Sequence, residues 1–468
     1  MSNGAILQLE SKNEFDEILF TDDIKMSEFK NTYKKTTNFS EVPYSFYPTG
    51  KASWGDRMVF KINKVGDLMT NMYVAIELPE MNVTQIIGKT ENIVTSNYRI
   101  KWQDYIGYTI IEKATLRIGG QIIQEMTGEY MMCYTDLYDN TWITSALCGQ
   151  DPNIVSPQLQ IYKQYIYVPL RFFNCGNYNS ALPVNALRYH EIEVEIKLKS
   201  WDSVYLVLNQ LTDVKNANPL KNDPDSYKYA HTLEKLPQLE FNNIRLDCNF
   251  IFLESNEREY LLNNKLDILI TQVQMTEQTC AKQDTVYLNF SNPIKEFYFL
   301  LSKNEYNNES FCYSGKPQFI PYKALPDPPE FTKALWNQIP EKDLLAEASF
   351  QFNNVDRVPY KDYKYWFSVQ NYETFKTRPY HQIYLYSFGL TNKKMNVGSC
   401  NFSEFESVAL NIRLAGSDIR QYHILENDYT IELGPETGGG SSTRIVVFGV
   451  SYNVLQIEDG MAQLQFSM

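Results

Sequence analysis

Histidine is scarce in this chain of 468 residues: His190, His231, His381 and His423 are all there is, and none has a second histidine at ligand spacing. A metal centre on a β-scaffold needs clustered imidazoles and carboxylates, so no metal site is expected, and each histidine reads as a surface or hydrogen-bonded residue. The seven cysteines, Cys133, Cys148, Cys175, Cys248, Cys280, Cys312 and Cys400, are scattered, odd in number and without a Cys-x-x-Cys pair. That pattern excludes a disulfide framework and a zinc ribbon, and points to folding in a reducing compartment. Basic blocks are missing too. Beyond pairs such as Lys34-Lys35 and Lys393-Lys394 there is no cluster of positive charge, and the net charge is −13. Gripping a phosphate backbone takes concentrated Lys and Arg, so direct nucleic-acid binding is not expected. No apolar run reaches the roughly 18 residues that cross a bilayer. Ile6-Leu7 is too short an apolar start for a signal peptide, and Ser2 in place of glycine excludes myristoylation. The chain is therefore expected to be made in, and to stay in, the cytosol.

Catalytic signatures are equally thin. No Gly-x-Ser-x-Gly elbow occurs, and no cysteine has a neighbouring histidine to activate it. Gly434–Thr443 is glycine-rich but carries no lysine after its glycines. It reads as a hairpin loop between the strand-like Tyr429–Leu433 and Arg444–Phe448. Thr49-Gly50-Lys51-Ala52-Ser53 looks like the end of a phosphate-binding loop, but Ser45 stands where the first glycine is required. Carboxylates are abundant, yet nothing singles out an acid/base pair. No catalytic, cofactor-binding or metal residue is assigned.

What the chain does have is aromatic side chains, 14% of it, with 34 Tyr and 26 Phe. Such residues suit pleated, half-buried surfaces and large interfaces. Its length exceeds what one core fills, so two domains are expected. A pattern also recurs in both halves in the same order. Met58–Asn63 turns into Met72–Pro79, and later Val286–Phe290 turns into Lys295–Leu301. Ala114–Ile122 has its counterpart in Leu410–Ile419, and Cys248–Glu254 in Tyr452–Glu458. Many short strands separated by turn chemistry, with few helical periods, give an all-β class of sandwich or barrel type.

Residues 1–35 are mixed and polar and read as an extended arm. Helices are expected at Gly128–Tyr138 and Asn256–Leu262, the latter with acidic residues in its first turn. The second follows the closing strand of the first half, which puts the domain boundary near Asn263. No Gly/Ser-rich or Pro-rich stretch lies there, so the domains are expected to be docked rigidly. Residues 80–100, 130–160, 205–235 and 303–345 lack strong strand signals and read as long functional loops. Asn-x-Ser/Thr triplets begin at Asn38, Asn82, Asn289, Asn308 and Asn401. Asn289 falls in an expected strand, whereas Asn82 and Asn308 lie in long loops and are the better glycan acceptors, against a cysteine pattern that argues for the cytosol.

Several segments, taken in order, resemble one family: the major capsid proteins of nucleocytoplasmic large DNA viruses, in the algal-virus and giant-virus branch. They include Gly4–Leu9, Phe29–Phe39, Gly66-Asp67-Leu68 with Leu78-Pro79, and Ile118–Gln121. Val168–Phe173 followed by Ala181–Glu191 is especially close. Asn292–Glu296, Tyr386–Leu390, Gly398–Ser403 and Tyr452–Leu455 with Asp459–Ala462 continue the series. Val397 and Glu404 depart from the family's Pro before Gly-Ser and Arg after Asn-Phe-Ser. The resemblance implies a double jelly roll: an N-terminal arm at 1–35 and eight-stranded rolls at 36–263 and 264–468. It also implies homotrimeric, pseudo-hexagonal capsomers tiling an icosahedral virion, assembled in the host cytoplasm. The implied partners are neighbouring capsomers, minor capsid or cement proteins and a penton protein, with an internal membrane or other layer beneath the shell. A carbohydrate-active or carbohydrate-binding double β-sandwich is the alternative; it would show a cleft with paired carboxylates, or a sugar-binding monomer.

Overall fold

Alternation of apolar and polar residues becomes strand wherever one face can be buried. The computed structural model describes residues 36–88, 97–139, 141–210, 227–230, 233–241, 243–303, 309–313, 343–376, 379–390, 398–415, 422–425, 428–433 and 443–466; the arm expected at 1–35 lies outside them. The principal strands of the first half are β1 (Phe39–Phe46), β2 (Arg57–Ile62), β3 (Leu68–Leu78), β4 (Ile111–Ile118), β5 (Gln121–Thr127), β6 (Gln164–Pro169), β7 (Ile192–Leu198) and β8 (Ile244–Leu253). They form two sheets, ordered β1-β8-β3-β6 and β2-β7-β4-β5. Pairing is antiparallel in register: Val194 of β7 lies opposite both Phe60 and Leu116, and Leu246 of β8 opposite Val74.

In the second half the principal strands are β9 (Leu266–Cys280), β10 (Gln283–Tyr287), β11 (Pro293–Lys303), β12 (Leu345–Phe352), β13 (Val355–Asp362), β14 (Tyr384–Ser387), β15 (Val408–Leu414) and β16 (Thr443–Glu458), with β17 (Met461–Leu464) folding back on β16. Their sheets are ordered β9-β16-β11-β14 and β10-β15-β12-β13. Adding eight to each strand number of the first half reproduces this order without exception. The fold is a double jelly roll, and the sequence repeat is a topological one.

The equivalence sorts the three sequence matches. β2 and β3 do correspond to β10 and β11, and β8 to β16. Ala114–Ile122, however, spans β4, its turn and the start of β5, whereas Leu410–Ile419 begins in β15, whose counterpart is β7. That pairing is corrected: two alternating strands look alike whatever their place in the sheet.

The two expected helices are present as α1 (Gly128–Tyr138) and α2 (Ser255–Asn263). The Thr127 hydroxyl caps α1 by accepting from the Tyr130 N–H, and Glu129 in the first turn complements the helix dipole. A third helical segment was not expected: a π turn, Tyr365–Val369, running into α3 (Gln370–Thr374). It occupies, between β13 and β14, the place of α1 between β5 and β6. Segments read as loops also hold structure. Short helices form within them at Thr141–Leu147 and Pro152–Val155, and outside them at Ile106–Ile110, while Tyr98–Trp102, Tyr205–Gln210 and Tyr227–Tyr229 make a small sheet. Asp428–Leu433 pairs with Tyr422–Leu425, while β16 pairs with β9 and β11, so the glycine-rich segment does not join two partners of one hairpin. Asn289 lies beyond the end of β10 and is exposed, not in a strand.

The tight β4–β5 turn needs its glycines: Gly119 and Gly120 have φ of 59° and 82°, and a Cβ on Gly119 would stand 2.6 Å from the His190 ring. Among the described residues no sheet mixes strands from before and after α2. Residues Ser40–Met468 nevertheless form one compact unit.

Candidate functional site: the seam between the rolls

The second roll has a core of its own, centred on Phe297, Phe299, Leu301, Phe350, Leu410 and Val447. The neighbours of these residues in the chain face the other way. Tyr298 and Leu300 of β11, and Val446, Phe448 and Val450 of β16, join the core of the first roll. The sheet β9-β16-β11-β14 is thus buried on both faces, one inside its own roll and one in the seam. The sequence signals this as unbroken apolar runs, Phe297–Leu301 and Ile445–Phe448, where a half-exposed strand would alternate. Those runs are legible as strands; their double burial was missed.

The first roll meets this sheet with its edge strand β5 and with α1. The Gln272 side-chain amide donates to the Ile123 carbonyl at 2.6 Å. Tyr130 stacks on Tyr298 with ring centroids 5.9 Å apart and meets Phe448 edge-on at 5.7 Å. Tyr138 meets Phe375 edge-on at 4.8 Å, and its hydroxyl donates to buried Glu296. Burial pushes the Tyr138 and Tyr298 hydroxyls far above the usual phenol range, so both stay neutral, and Tyr138 donates to Glu296 while the Tyr298 hydroxyl is buried without a hydrogen-bond partner among the described residues.

Charges close the rim of the seam. Arg444 of β16 makes two bonds of 3.0 Å to Glu129 and two, of 2.7 and 3.3 Å, to Glu277. Burial disfavours its charge, but Glu277 and Glu129 outweigh burial and raise its pKa. Glu129 also accepts from the Tyr313 hydroxyl at 2.9 Å. Two turns further along the same face of α1, Asp136 lies 2.6 Å from Nδ1 of His381 and accepts from its backbone N–H. A second joint holds α2, none of whose residues is fully buried. Asp67, in the turn before β3, accepts from Nε and an Nη of Arg258 at 2.9 and 3.0 Å, from Leu253 N–H at 2.8 Å and from the Asn185 amide at 2.9 Å.

The other residues singled out from sequence do not converge. His190 accepts from the Ala462 N–H at 3.1 Å through Nδ1, tying the first roll to β17; His231 lies outside the described residues. Among the described residues no group of three His, Cys, Asp or Glu side chains could hold a metal. The half-buried Asn82 accepts from both N–H and hydroxyl of Thr84 at 2.9 Å; Asn308 lies outside the described residues. A surface hollow of about 540 Å³ brings Glu347 opposite Asp362, but Arg413 pairs with Glu347 and lies 4.0 Å from the Tyr360 ring, which makes an ion-pair patch rather than an acid/base couple.

The chemistry of the molecule is thus the burial of one roll against another. Residues 27–254 match the family described as the major capsid protein N-terminus, and residues 257–463 the large eukaryotic DNA virus major capsid protein. The chain belongs to this capsid protein family. It is 23% identical to the major capsid protein of Phaeocystis pouchetii virus and 23% to that of Paramecium bursaria Chlorella virus 1, with 99% of each chain covered in both cases. The capsid protein in the quasi-atomic PBCV-1 capsid superimposes with a TM-score of 0.69 at 21% identity, over 94% of this chain and 100% of that one. The Faustovirus major capsid protein gives 0.67 at 11% identity, over 97% and 96%. Such likeness at low identity shows the fold. With the family matches, it makes this chain a structural capsid component of a large DNA virus.

Proposed function

We propose that three copies of this chain form a capsomer of nearly hexagonal outline, and that such capsomers tile an icosahedral shell. The observation that carries the reading is the strand-for-strand repeat of two rolls joined by a buried, aromatic seam. Three copies of a two-roll chain offer six similar rolls, so a three-fold object acquires a six-sided footprint. On this reading the rolls run over 36–263 and 264–468, and the arm at 1–35 faces inward toward neighbouring capsomers and minor capsid, cement or penton proteins. Synthesis and assembly belong to the host cytoplasm. The net charge of −13 suits a shell that does not itself grip DNA and leaves room for an internal membrane between the two. Asn82 and Asn308 are the proposed glycan acceptors, to be checked by mass spectrometry of peptides from virions. No catalytic residue is assigned. Light scattering of the purified chain tests the central claim: a trimer weighs about 164 kDa, three times 54.6 kDa, and a mass of 54.6 kDa at every concentration would end it.

A further inference from the structure

A histidine stands at each end of the seam, and the two are bonded in opposite senses. Strand β5 spans the distance between them: the turn before it, Gly119-Gly120, lies against His190, and α1, which carries Asp136, follows its far end. His381 turns Nδ1 toward a carboxylate, 2.6 Å from Asp136. That contact needs a hydrogen on Nδ1, and both the Nδ1–H form of neutral imidazole and the imidazolium supply one. His190 does the reverse. Its Nδ1 accepts from the Ala462 N–H at 3.1 Å, so this nitrogen must offer a lone pair, which the imidazolium lacks. The ring is held to that role. It packs so closely on the glycine turn that a Cβ on Gly119 would stand 2.6 Å from Nδ1, and the Gly119 N–H is bonded to the Glu191 carbonyl at 2.8 Å. Beside it, the Tyr189 N–H donates to the Gly460 carbonyl at 3.1 Å. Ala462 belongs to β17, laid on the end of β16, and is only 4% exposed, so water cannot replace His190 as the partner of its N–H.

We propose that His190 is an acid-sensitive catch between the rolls: its neutral ring holds β17 to the first roll, and its protonation frees β17 and the turn before it, opening that end of the seam while the α1 end stays shut. The inference concerns the single chain and stands apart from the trimer reading. The contact is complete above the range in which imidazoles ordinarily titrate, about 6.5, and is lost as pH falls through it. Charged groups surround the ring without replacing the bond. Arg188 and Glu191 flank it in the chain, Lys61 of β2 pairs with Glu191 at 3.4 Å, and Lys64 in the turn after β2 donates to the Arg188 carbonyl at 3.3 Å. Arg117 lies beside the glycine turn, and Glu458 and Asp459 lead into β17. Among the described residues the His190 ring bonds to none of these. Release is limited to the contact between rolls, because Asn453 of β16 still donates to the Phe466 carbonyl at 2.9 Å and accepts from its N–H at 3.3 Å. At the other end His381 faces Asp136, Cys133 and Glu129 on α1, Tyr105 of the first roll, Tyr313 and Tyr380 of the second, and Arg444 of β16 beyond Glu129. Its bond to Asp136 survives acid because either form of the ring donates.

Hydrogen exchange over residues 459–466, read by mass spectrometry and corrected for the intrinsic effect of pH, tests the catch. Between pH 7.5 and pH 5.5 the wild-type segment is expected to lose about tenfold in protection, the factor set by one proton taken up on opening by a group that titrates near 6.5, while β8 keeps its protection. His190→Gln, whose side-chain oxygen accepts a hydrogen bond at either pH, should abolish the loss; His381→Gln should leave it in place. Equal protection of the wild type at both pH values overturns the catch. So does a loss that persists in His190→Gln, which would assign the response to Glu191, Glu458 or Asp459. If circular dichroism shows the glutamine variant unfolded, nitrogen NMR of the histidine-labelled wild type decides. Nδ1 of His190 is expected bare at pH 7.5 and protonated at pH 5.5, in step with the loss of protection, and an Nδ1 that carries hydrogen at pH 7.5 overturns the assignment.

Discussion

Asp67 shows how one side chain can join distant parts of the chain. Gly66 before it has no room for a side chain, since a Cβ there would lie 2.9 Å from that of Phe250, and so the turn brings Asp67 under the end of β8. Burial works to raise the pKa of its carboxyl, but the Arg258 bonds, the Leu253 N–H and the Asn185 amide outweigh it, and the net shift is downward. A carboxylate with a depressed folded pKa contributes stability above its unfolded value, about 3.9, and loses that contribution as pH falls through the folded value. Asp67→Asn is therefore expected to lower the melting temperature at pH 7, with the gap to wild type closing as pH approaches 3. Thermal unfolding at several pH values measures it, and a gap that stays constant into acid would show that the joint is not ionic. Gly66-Asp67-Leu68 was conspicuous in the sequence through the family resemblance, but its partner was not, because Arg258 is 191 positions away. A sequence read in short windows carries no signal for an ion pair of that span.

At the scale of elements, α1 is the piece that turns two rolls into one body. Its Tyr130 is buried between Tyr298 and Phe448 of the second roll, although it belongs to a connection of the first. Tyr130→Ala should cost about 3–5 kcal/mol, as expected for truncating a large buried aromatic. Combined with Phe448→Ala it should show a coupling of about 0.5–1.5 kcal/mol by double-mutant cycle in denaturant unfolding. Additive losses would mean that the rings do not interact across the seam. Much of this was readable: Gly128–Tyr138 was legible as a helix and β11 and β16 as strands, because local periodicity fixes such elements. The meeting of α1 with those strands was not. Unbroken apolar runs announce that both faces of a strand are covered but do not name the cover. Tyr365–Thr374 was missed altogether, since five of its ten residues form a π turn with no 3.6-residue period to detect. The same blindness to context explains the mistaken match of Ala114–Ile122 with Leu410–Ile419, where alternation was right and sheet position was not.

For the whole molecule, the two parts of the proposed assembly should separate cleanly. Strands β2 to β17 of the two rolls all lie within the compact unit Ser40–Met468. In the proposed capsomer the six-sided outline comes from the rolls, so a chain lacking the first 30 residues is expected still to close a three-membered ring. A capsomer, however, is a finished tile, and closed rings do not adhere to one another through the interfaces that closed them. On the proposed reading, the polar arm at the N-terminus takes part in tying tile to tile. Deleting residues 1–30 is expected to leave a trimer in light scattering, lighter than the roughly 164 kDa of three full chains of 54.6 kDa, while shells fail to form or form with gaps under electron microscopy when the minor capsid proteins are supplied. Normal shells from the truncated chain would show that the rolls alone carry the lattice contacts. Loss of the trimer itself would move the arm into the three-fold contact.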